Sequence, residues 1–262
     1  MKIAVAGCTG RMGLTVVKAV LARDDMTLVA GSRPTGFDNE AAKAQLVLAD
    51  CHGLSVTSDP KELMAEADAL IDFTYPEVTL SHAEAVAEKG AIHIIGTTGF
   101  TGGQQKRLET LSEKATIVQA GNFSLGVNLL AQLVEQAAKM LDENYDIEIN
   151  EVHHRHKKDA PSGTALLLGR AAARGRGVKL EEKKAVDRSG ERKLGDIGFS
   201  VQRAGGVVGI HDVTLAGENE MITLSHQGFN RKIFADGSLT AALWAKDKKP
   251  GLYSMRDVLA LS

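Results

Sequence analysis

The stretch "KIAVAGCTGRMGLTVVKAVLA", Lys2 to Ala22, decides the fold. Its apolar run "KIAVAG" (Lys2 to Gly7) passes through glycines at 7, 10 and 13 into Met12 to Ala22, which has helical spacing. A buried strand, a tight turn and a helix in that order open a doubly wound α/β sheet. Residues without Cβ in the turn let the backbone approach a pyrophosphate, whose charge then rests on the amides at the helix N-terminus. The spacing is G-x-x-G-x-x-G, one position off the usual G-x-G-x-x-G, and glycines in any tight strand-to-helix turn are the competing explanation. Their place between a strand and a helix favours a dinucleotide.

Outward from this unit, "MTLVAG" (Met26 to Gly31), "ALIDFT" (Ala69 to Thr74), "AIHIIG" (Ala91 to Gly96) and "TIVQAG" (Thr116 to Gly121) read as further buried parallel strands. Leu80 to Lys89 and Gly103 to Lys114 supply helices between them. From about Asp146 the texture changes. "DIEINEVHH", "IGFSVQRAG", "IHDVTLAG" and "EMITLSHQG" show partial alternation with Gly-rich turns, and only Ser162 to Arg174 is a clear helix among them. Gly237 to Ala245 and Ser254 to Leu261 are helical again and suit a return to the first unit. The expected fold class is α/β: a Rossmann-like doubly wound parallel sheet with a second α+β domain built on a mostly antiparallel open sheet.

The 262 residues are 44% hydrophobic and 24% charged with 27 glycines, enough to bury a sizeable core, in one large domain or two modest ones. With a formal net charge of -2 and a sequence pI near 6.5, no global basic field exists to hold nucleic acid or an acidic membrane. Small acidic ligands are the better fit. Cys8 and Cys51, the only cysteines, cannot make a disulfide framework and suit a reducing cytoplasm. "MKIAVAGCTG" has too short an apolar run for a signal peptide, and nothing approaches the roughly 20 apolar residues of a membrane span.

A chain preferring NAD would place Asp or Glu at the end of its second strand to hold the ribose 2′-hydroxyl. Here "AGSRP" puts Ser32 and Arg33 there. A hydroxyl and a guanidinium suit a 2′-phosphate, and Arg11 in the glycine turn adds a second cation or an adenine stack. The expectation is NADPH as cofactor, with NADH weaker; Arg33 as a plain solvated residue and the nearby Asp38 are the complications. "GTTGF" (Gly96 to Phe100) and "AGNFS" (Ala120 to Ser124) follow strands on the carboxyl edge of the sheet, where ligands bind and where they can hold a nicotinamide ring. Ordinary turn chemistry explains either loop alone equally well.

One more stretch stands out: "EVHHRHKKDAPSGTA", Glu151 to Ala165. Read as a strand, it points His153 and Arg155 one way and His154 and His156 the other. Lys157 and Lys158 follow, and Pro161, Ser162, Gly163 and Thr164 look like a helix start able to bind an anion. Together they describe a pocket for a substrate with carboxylates, flanked by proton donors. A metal on His154-x-His156 is disfavoured by the neighbouring lysines and the absence of an accompanying cysteine, so no metal is expected. A solvated basic face competes; nucleic-acid binding lacks other basic runs or interleaved aromatics.

This stretch closely resembles the E-x-H-H-x-x-K-x-D-A-P-S-G-T-A signature of the 4-hydroxy-tetrahydrodipicolinate reductase family, also called dihydrodipicolinate reductases. "AVAGCTGRMG", "GTTGF", "NFSLGVN" and "RAGGVVGIHDV" resemble the family's other blocks in order, so the resemblance covers essentially the whole chain. It implies an oxidoreductase of the diaminopimelate route of lysine biosynthesis that reduces a cyclic dicarboxylate: water is lost, hydride from NAD(P)H reaches C4 of the conjugated imine, and C3 takes a proton. By the match, His153 falls at the general-acid position and Lys157 at the second catalytic position. His154, Gly163 and Thr164 match the substrate-carboxylate contacts, with Ser162 beside them. Gly7, Cys8, Thr9, Gly10, Arg11 and Met12, then Gly96, Thr97 and Thr98, then Ala120, Gly121, Asn122 and Phe123 match the dinucleotide contacts. Where family members using both cofactors carry Glu-Arg, this chain has Ser32-Arg33, which supports NADPH. The resemblance further implies a dinucleotide domain of residues 1–124 and 236–262, a substrate-binding and oligomerisation domain of residues 125–235, a homotetramer, and domain closure about hinges near Ser124 and residues 230–236. Two rivals share part of this pattern. Another NAD(P)-dependent enzyme would carry the glycine turn but has no reason to carry His-His-x-x-Lys before Pro-Ser-Gly-Thr; a non-enzymatic NADPH sensor would keep its affinity without His153 and Lys157.

Overall fold

In the computed structural model, which describes residues 1–33, 51, 54–186 and 189–261, Lys2–Val5 forms the first strand, β1, and Arg11–Leu21 the first helix, α1. The chain divides into two units, Met1–Ser124 with Arg231–Ser262, and Leu125–Asn230.

The first unit carries β2 (Thr27–Ser32), β3 (Ser55–Thr57), β4 (Ala69–Asp72), β5 (Ile92–Ile95), β6 (Thr116–Gln119) and β12 (Gly251–Tyr253). All pair in parallel, in the order β12-β6-β5-β4-β1-β2-β3. Strands buried on both faces need apolar side chains at odd and even positions alike. Ile3, Val5, Ile71, Ile94 and Val118 enter one core, while Ala4, Leu70, Ile95 and Ile117 enter the other. Helices α1 and α8 (Lys232–Ala245) cover the first face; α2 (Pro60–Met64), α3 (Pro76–Lys89) and α4 (Gly102–Ser112) cover the second. Both the parallel sheet and its double winding match the expectation. The chain winds outward in both directions from β1 and β4, so loops after these strands flank the switch point where α/β sheets bind ligands.

Several boundaries differ from the sequence reading. Strands β3 and β12 have three residues each, too short for a periodic pattern to register. Helix α3 begins at Pro76, because proline suits the first helical turn. The helix expected to start at Gly237 starts instead at Lys232, as α8, and the second stretch of the first unit begins at Arg231. Gly237 is not a helix boundary: a Cβ there would lie 1.7 Å from the Phe123 carbonyl oxygen, so the residue is small to let two backbones meet. Ser254 caps a short helix, α9 (Met255–Val258), where a longer one was expected.

The second unit holds a five-stranded sheet, β11-β10-β7-β9-β8, from β7 (Asp146–His153), β8 (Lys184–Ala185), β9 (Ile197–Arg203), β10 (Gly209–Ala216) and β11 (Met221–Gly228). β7 pairs with β10, and β10 with β11, antiparallel, and these ladders carry most of the paired residues, as expected; β7 with β9, and β9 with β8, pair in parallel, so the sheet is mixed. A parallel neighbour needs a long crossover, and α6 (Gly163–Gly175) and α7 (Leu180–Lys183) lie in the connection between β7 and β9. A second long helix, α5 (Leu125–Met140), was not singled out from the sequence; it packs with α6 over Ile147, Ile149, Phe199, Val213 and Leu215. The alternate residues Glu148, Asn150, Val152, Ile210, Asp212 and Thr214 lie on the opposite face and are only partly covered.

Candidate active site

Among the described residues, two groups carry chemistry, one in each unit. In the second unit, strand alternation puts Glu151 and His153 on the same buried face of β7. The antiparallel register sets His211 of β10 opposite Glu151. Glu151 Oε2 meets His153 Nδ1 directly, and Oε1 accepts from the Ser162 amide at 2.7 Å and from Arg203 Nη2 at 3.2 Å. Burial pushes the Glu151 carboxyl up, but hydrogen bonds from His153, Arg203 and the Ser162 amide outweigh it and set it at about 2. The carboxylate is therefore ionised and fixes the imidazole with Nδ1–H towards it, leaving Nε2 for the transferable proton. A Cβ at residue 209 would stand 3.1 Å from His153 Nε2, so Gly209 keeps that atom clear.

His211 crosses His153 edge to face at a centroid distance of 5.0 Å, and its Nε2 lies 3.3 Å from Ser162 Oγ. Burial, then the charge of His153, pushes the His211 imidazole down to about 4, so it is neutral near pH 7. Ser162 caps α6, its hydroxyl accepting from the Ala165 amide at 3.1 Å, and Gly163 beside it is exposed. Through the Ser162 amide the start of α6, the kind of helix end that receives anions, adjoins the Glu151–His153 pair. Lys157 reaches Asp159 at 2.9 Å, and Arg203 also donates to the Asp159 carbonyl at 2.6 Å.

The expected alternation beyond His153 is corrected. β7 ends at His153, and His154 to Lys157 form a turn closed by the Lys157 amide on the His154 carbonyl at 3.1 Å. Arg155 and His156 are consequently exposed, and Arg155 does not share the His153 face. Glu151, His153 and His211 are the buried trio within reach of one ion among the described residues. Direct contact of Glu151 with His153, and Arg203 on the same carboxylate, make a proton the better bridge there than a metal. Glu151, Arg203 and His211 were not singled out from the sequence. Glu151 could have been, since period two places it on the His153 face; His211 and Arg203 come from other strands.

In the first unit, Gly7 has φ +60°, the Gly10 amide bonds the Gly7 carbonyl at 2.8 Å, and a Cβ on Gly13 would lie 2.0 Å from that carbonyl oxygen. Three glycines thus press the turn against α1, whose N-cap, Gly10, leaves the first amides without a side-chain partner. That is the cradle a pyrophosphate requires, so the turn fits a dinucleotide. Thr9, Gly10, Arg11 and Met12 are at least partly exposed around it. Cys8 is fully buried and burial pushes its thiol up to about 11, so only its backbone is offered to a ligand. Ser32 is also buried: its hydroxyl accepts from the Gly7 amide at 3.2 Å, which turns it inward, while Arg33 beside it is half-exposed. Asp38 lies outside the described residues. Thr97 and Phe123 are buried, whereas Gly96, Thr98, Ala120, Gly121 and Asn122 present surface after β5 and β6.

Among the described residues no helix is long and apolar enough to cross a membrane. Residues 1–123 match the family model described as dihydrodipicolinate reductase, N-terminus, and residues 126–259 match dihydrodipicolinate reductase, C-terminus. A 4-hydroxy-tetrahydrodipicolinate reductase of Dinoroseobacter shibae is 51% identical over 99% of this chain and 98% of its own length. Another, from Parvibaculum lavamentivorans, is 50% identical over 100% of this chain and 98% of its own. A solved structure of dipicolinate-bound dihydrodipicolinate reductase from Paenisporosarcina sp. TG-14 is 25% identical, covers 97% of each chain and superposes with a TM-score of 0.78. A glycine cradle on a doubly wound sheet, a carboxylate-held histidine beside a helix N-terminus, and these matches along both units establish that the chain is an oxidoreductase belonging to the dihydrodipicolinate reductase family.

Proposed function

We propose that the protein reduces 4-hydroxy-tetrahydrodipicolinate to tetrahydrodipicolinate in the diaminopimelate route to lysine, in the cytoplasm, with NADPH preferred over NADH. The observation that carries this reading is the Glu151–His153 pair beside the amides of α6, in a chain whose relatives bear the reductase name. The solved relative described as dipicolinate-bound supports a ligand with two carboxylates.

A nicotinamide dinucleotide held by the loops of the first unit would supply hydride for C4 of the conjugated imine left when the substrate loses water. His153 gives its Nε2 proton to C3, and the ionised Glu151 stabilises the histidine while it is charged. Lys157 holds a substrate carboxylate by its ammonium, releasing Asp159, and His154, Ser162, Gly163 and Thr164 receive a carboxylate at the start of α6. Neutral His211 keeps a second cation away from His153. Residues Gly7 to Met12, Gly96 to Thr98 and Ala120 to Phe123 hold the dinucleotide. Arg33 meets the 2′-phosphate, and the inward Ser32 hydroxyl removes the acid that would repel it. The partly covered face of the second sheet, which carries Val152, Ile210 and the exposed Met221, suits assembly with further copies as a homotetramer.

Purified protein, NADPH and substrate generated in place from pyruvate and aspartate semialdehyde test the proposal. Rapid NADPH oxidation that requires the complete mixture is expected. Binding of NADPH without oxidation would overturn the reductase reading and favour a sensor.

A further inference from the structure

Asp72, the last residue of β4, is fully buried, and its chemistry is not used by the reaction above. A carboxylate without solvent is costly unless each oxygen is held. Oδ1 accepts the Thr74 amide at 2.9 Å and the Thr74 hydroxyl at 2.6 Å, with the Thr97 hydroxyl at 3.5 Å. Oδ2 faces His82 Nδ1 at 2.8 Å and His93 Nε2 at 3.4 Å. A chain of hydroxyls extends the cluster: Thr79 Oγ1 lies 2.8 Å from Thr97 Oγ1 and 3.3 Å from Thr74 Oγ1. One carboxylate therefore ties together the ends of β4 and β5, the first turns of α3, and His93 within β5.

Two of these ties, through Thr74 and Thr97, reach loops assigned above to the dinucleotide. The Thr74 methyl lies 3.1 Å from where a Gly7 Cβ would stand, so it backs the glycine turn. The Phe73 ring occupies the space of a Gly96 Cβ, at 2.1 Å, and meets Phe123 edge to face at 5.7 Å. Thr97, the centre of the Gly96–Thr98 loop, spends its hydroxyl inward on Thr79. Loops after strands are ordinarily the mobile parts of such a sheet, and ordering them on binding weakens affinity.

We propose that Asp72, with His82, Thr74 and Thr79, is a positioning network that sets the Gly96–Thr98 loop and the glycine turn in the shape the dinucleotide requires. It rests on the dinucleotide reading of these loops. Thr79 touches no ligand in that reading, so it isolates the network from direct contacts.

The test compares wild type, Thr79→Val and Thr79→Ser for NADPH affinity by fluorescence quenching, for turnover, and for Tm. Thr79→Val keeps the shape of the side chain and removes the hydroxyl bridge; its Kd for NADPH is expected to rise about tenfold. Its kcat at saturating NADPH should change less than about threefold, and Thr79→Ser should restore the affinity. A lowered Tm with unchanged Kd in Thr79→Val, or a Kd in Thr79→Ser as weak as in Thr79→Val, overturns the proposal and leaves the reductase reading intact. Weakened, rescuable binding in a protein without turnover would instead overturn the reductase reading and leave the network standing. Should Thr79→Val fail to fold, Thr74→Val, which keeps the methyl against the glycine turn and removes the hydroxyl that joins Asp72 to Thr79, is expected to raise the Kd for NADPH in the same way, and an unchanged Kd overturns the proposal.

Discussion

Glu151 and His153 stand on one face of β7, and the whole proton-transfer proposal turns on their contact. Replacing His153 with Gln should lower kcat by about 10² to 10⁴ while NADPH still binds. Glu151→Gln leaves the imidazole in place but removes the charge that stabilises its protonated form, and a fall of about 10- to 100-fold in kcat is expected, again with NADPH affinity unchanged. Steady-state kinetics with quenching titrations check both, and full activity in Glu151→Gln would refute the pairing. At the other site, Arg33→Ala should reduce kcat/KM for NADPH by about tenfold and leave that for NADH nearly unchanged. Equal effects on both cofactors would place Arg33 away from the 2′-phosphate. Motif and position mark His153, Ser162 and Arg33 as candidates in the sequence. Ser32, Cys8 and Thr97 were legible as members of loops, but not the direction of their side chains, which depends on what packs behind them.

At the scale of elements, α6 and the glycine turn show how local sequence sets backbone amides at a helix start. Ser162→Ala removes the N-cap of α6 and should cost about 1 kcal/mol, seen as a lowered denaturation midpoint, and should also raise the KM for substrate. The Ser162 amide that holds Glu151 is backbone and survives the change, so kcat should suffer less than in Glu151→Gln. The helices between strands could be read from period and length. The second sheet could not be read as mixed, because β7 and β9 look the same from sequence whether their partner runs parallel or antiparallel; direction is set by the crossover through α6 and α7. Gly237 misled for a related reason: a glycine that admits a neighbouring carbonyl is indistinguishable in sequence from one that stops a helix.

On the scale of the whole molecule, acid should weaken the protein in two stages. His211 falls from an ordinary 6.5 to about 4 in the fold, so the unfolded chain binds a proton that the native one refuses. Its stabilising contribution is present above pH 6.5 and is lost as pH falls towards 4, with a slope of at most about 1.4 kcal/mol per pH unit. Glu151, lowered from 4.5 to about 2, contributes above pH 4.5 and is lost below it as pH falls towards 2. Calorimetric Tm against pH should show both stages, and His211→Asn should make the upper one shallower, with His93 and His226, whose imidazoles burial also lowers, supplying the rest. By mass, light scattering should report about four times 27.8 kDa, and a monomer would refute the homotetramer. The sequence by itself determined the doubly wound first unit, the glycine cradle and the family, because apolar period, turn chemistry and a contiguous motif are all local properties of the chain. Only the tertiary structure decided that His153, Arg203 and the Ser162 amide meet on the Glu151 carboxylate with His211 beside them, and that Asp72 ties the ends of β4 and β5 to α3. Those groups come from different strands and helices, and burial, hydrogen bonding and charge act between side chains that register and crossover bring together.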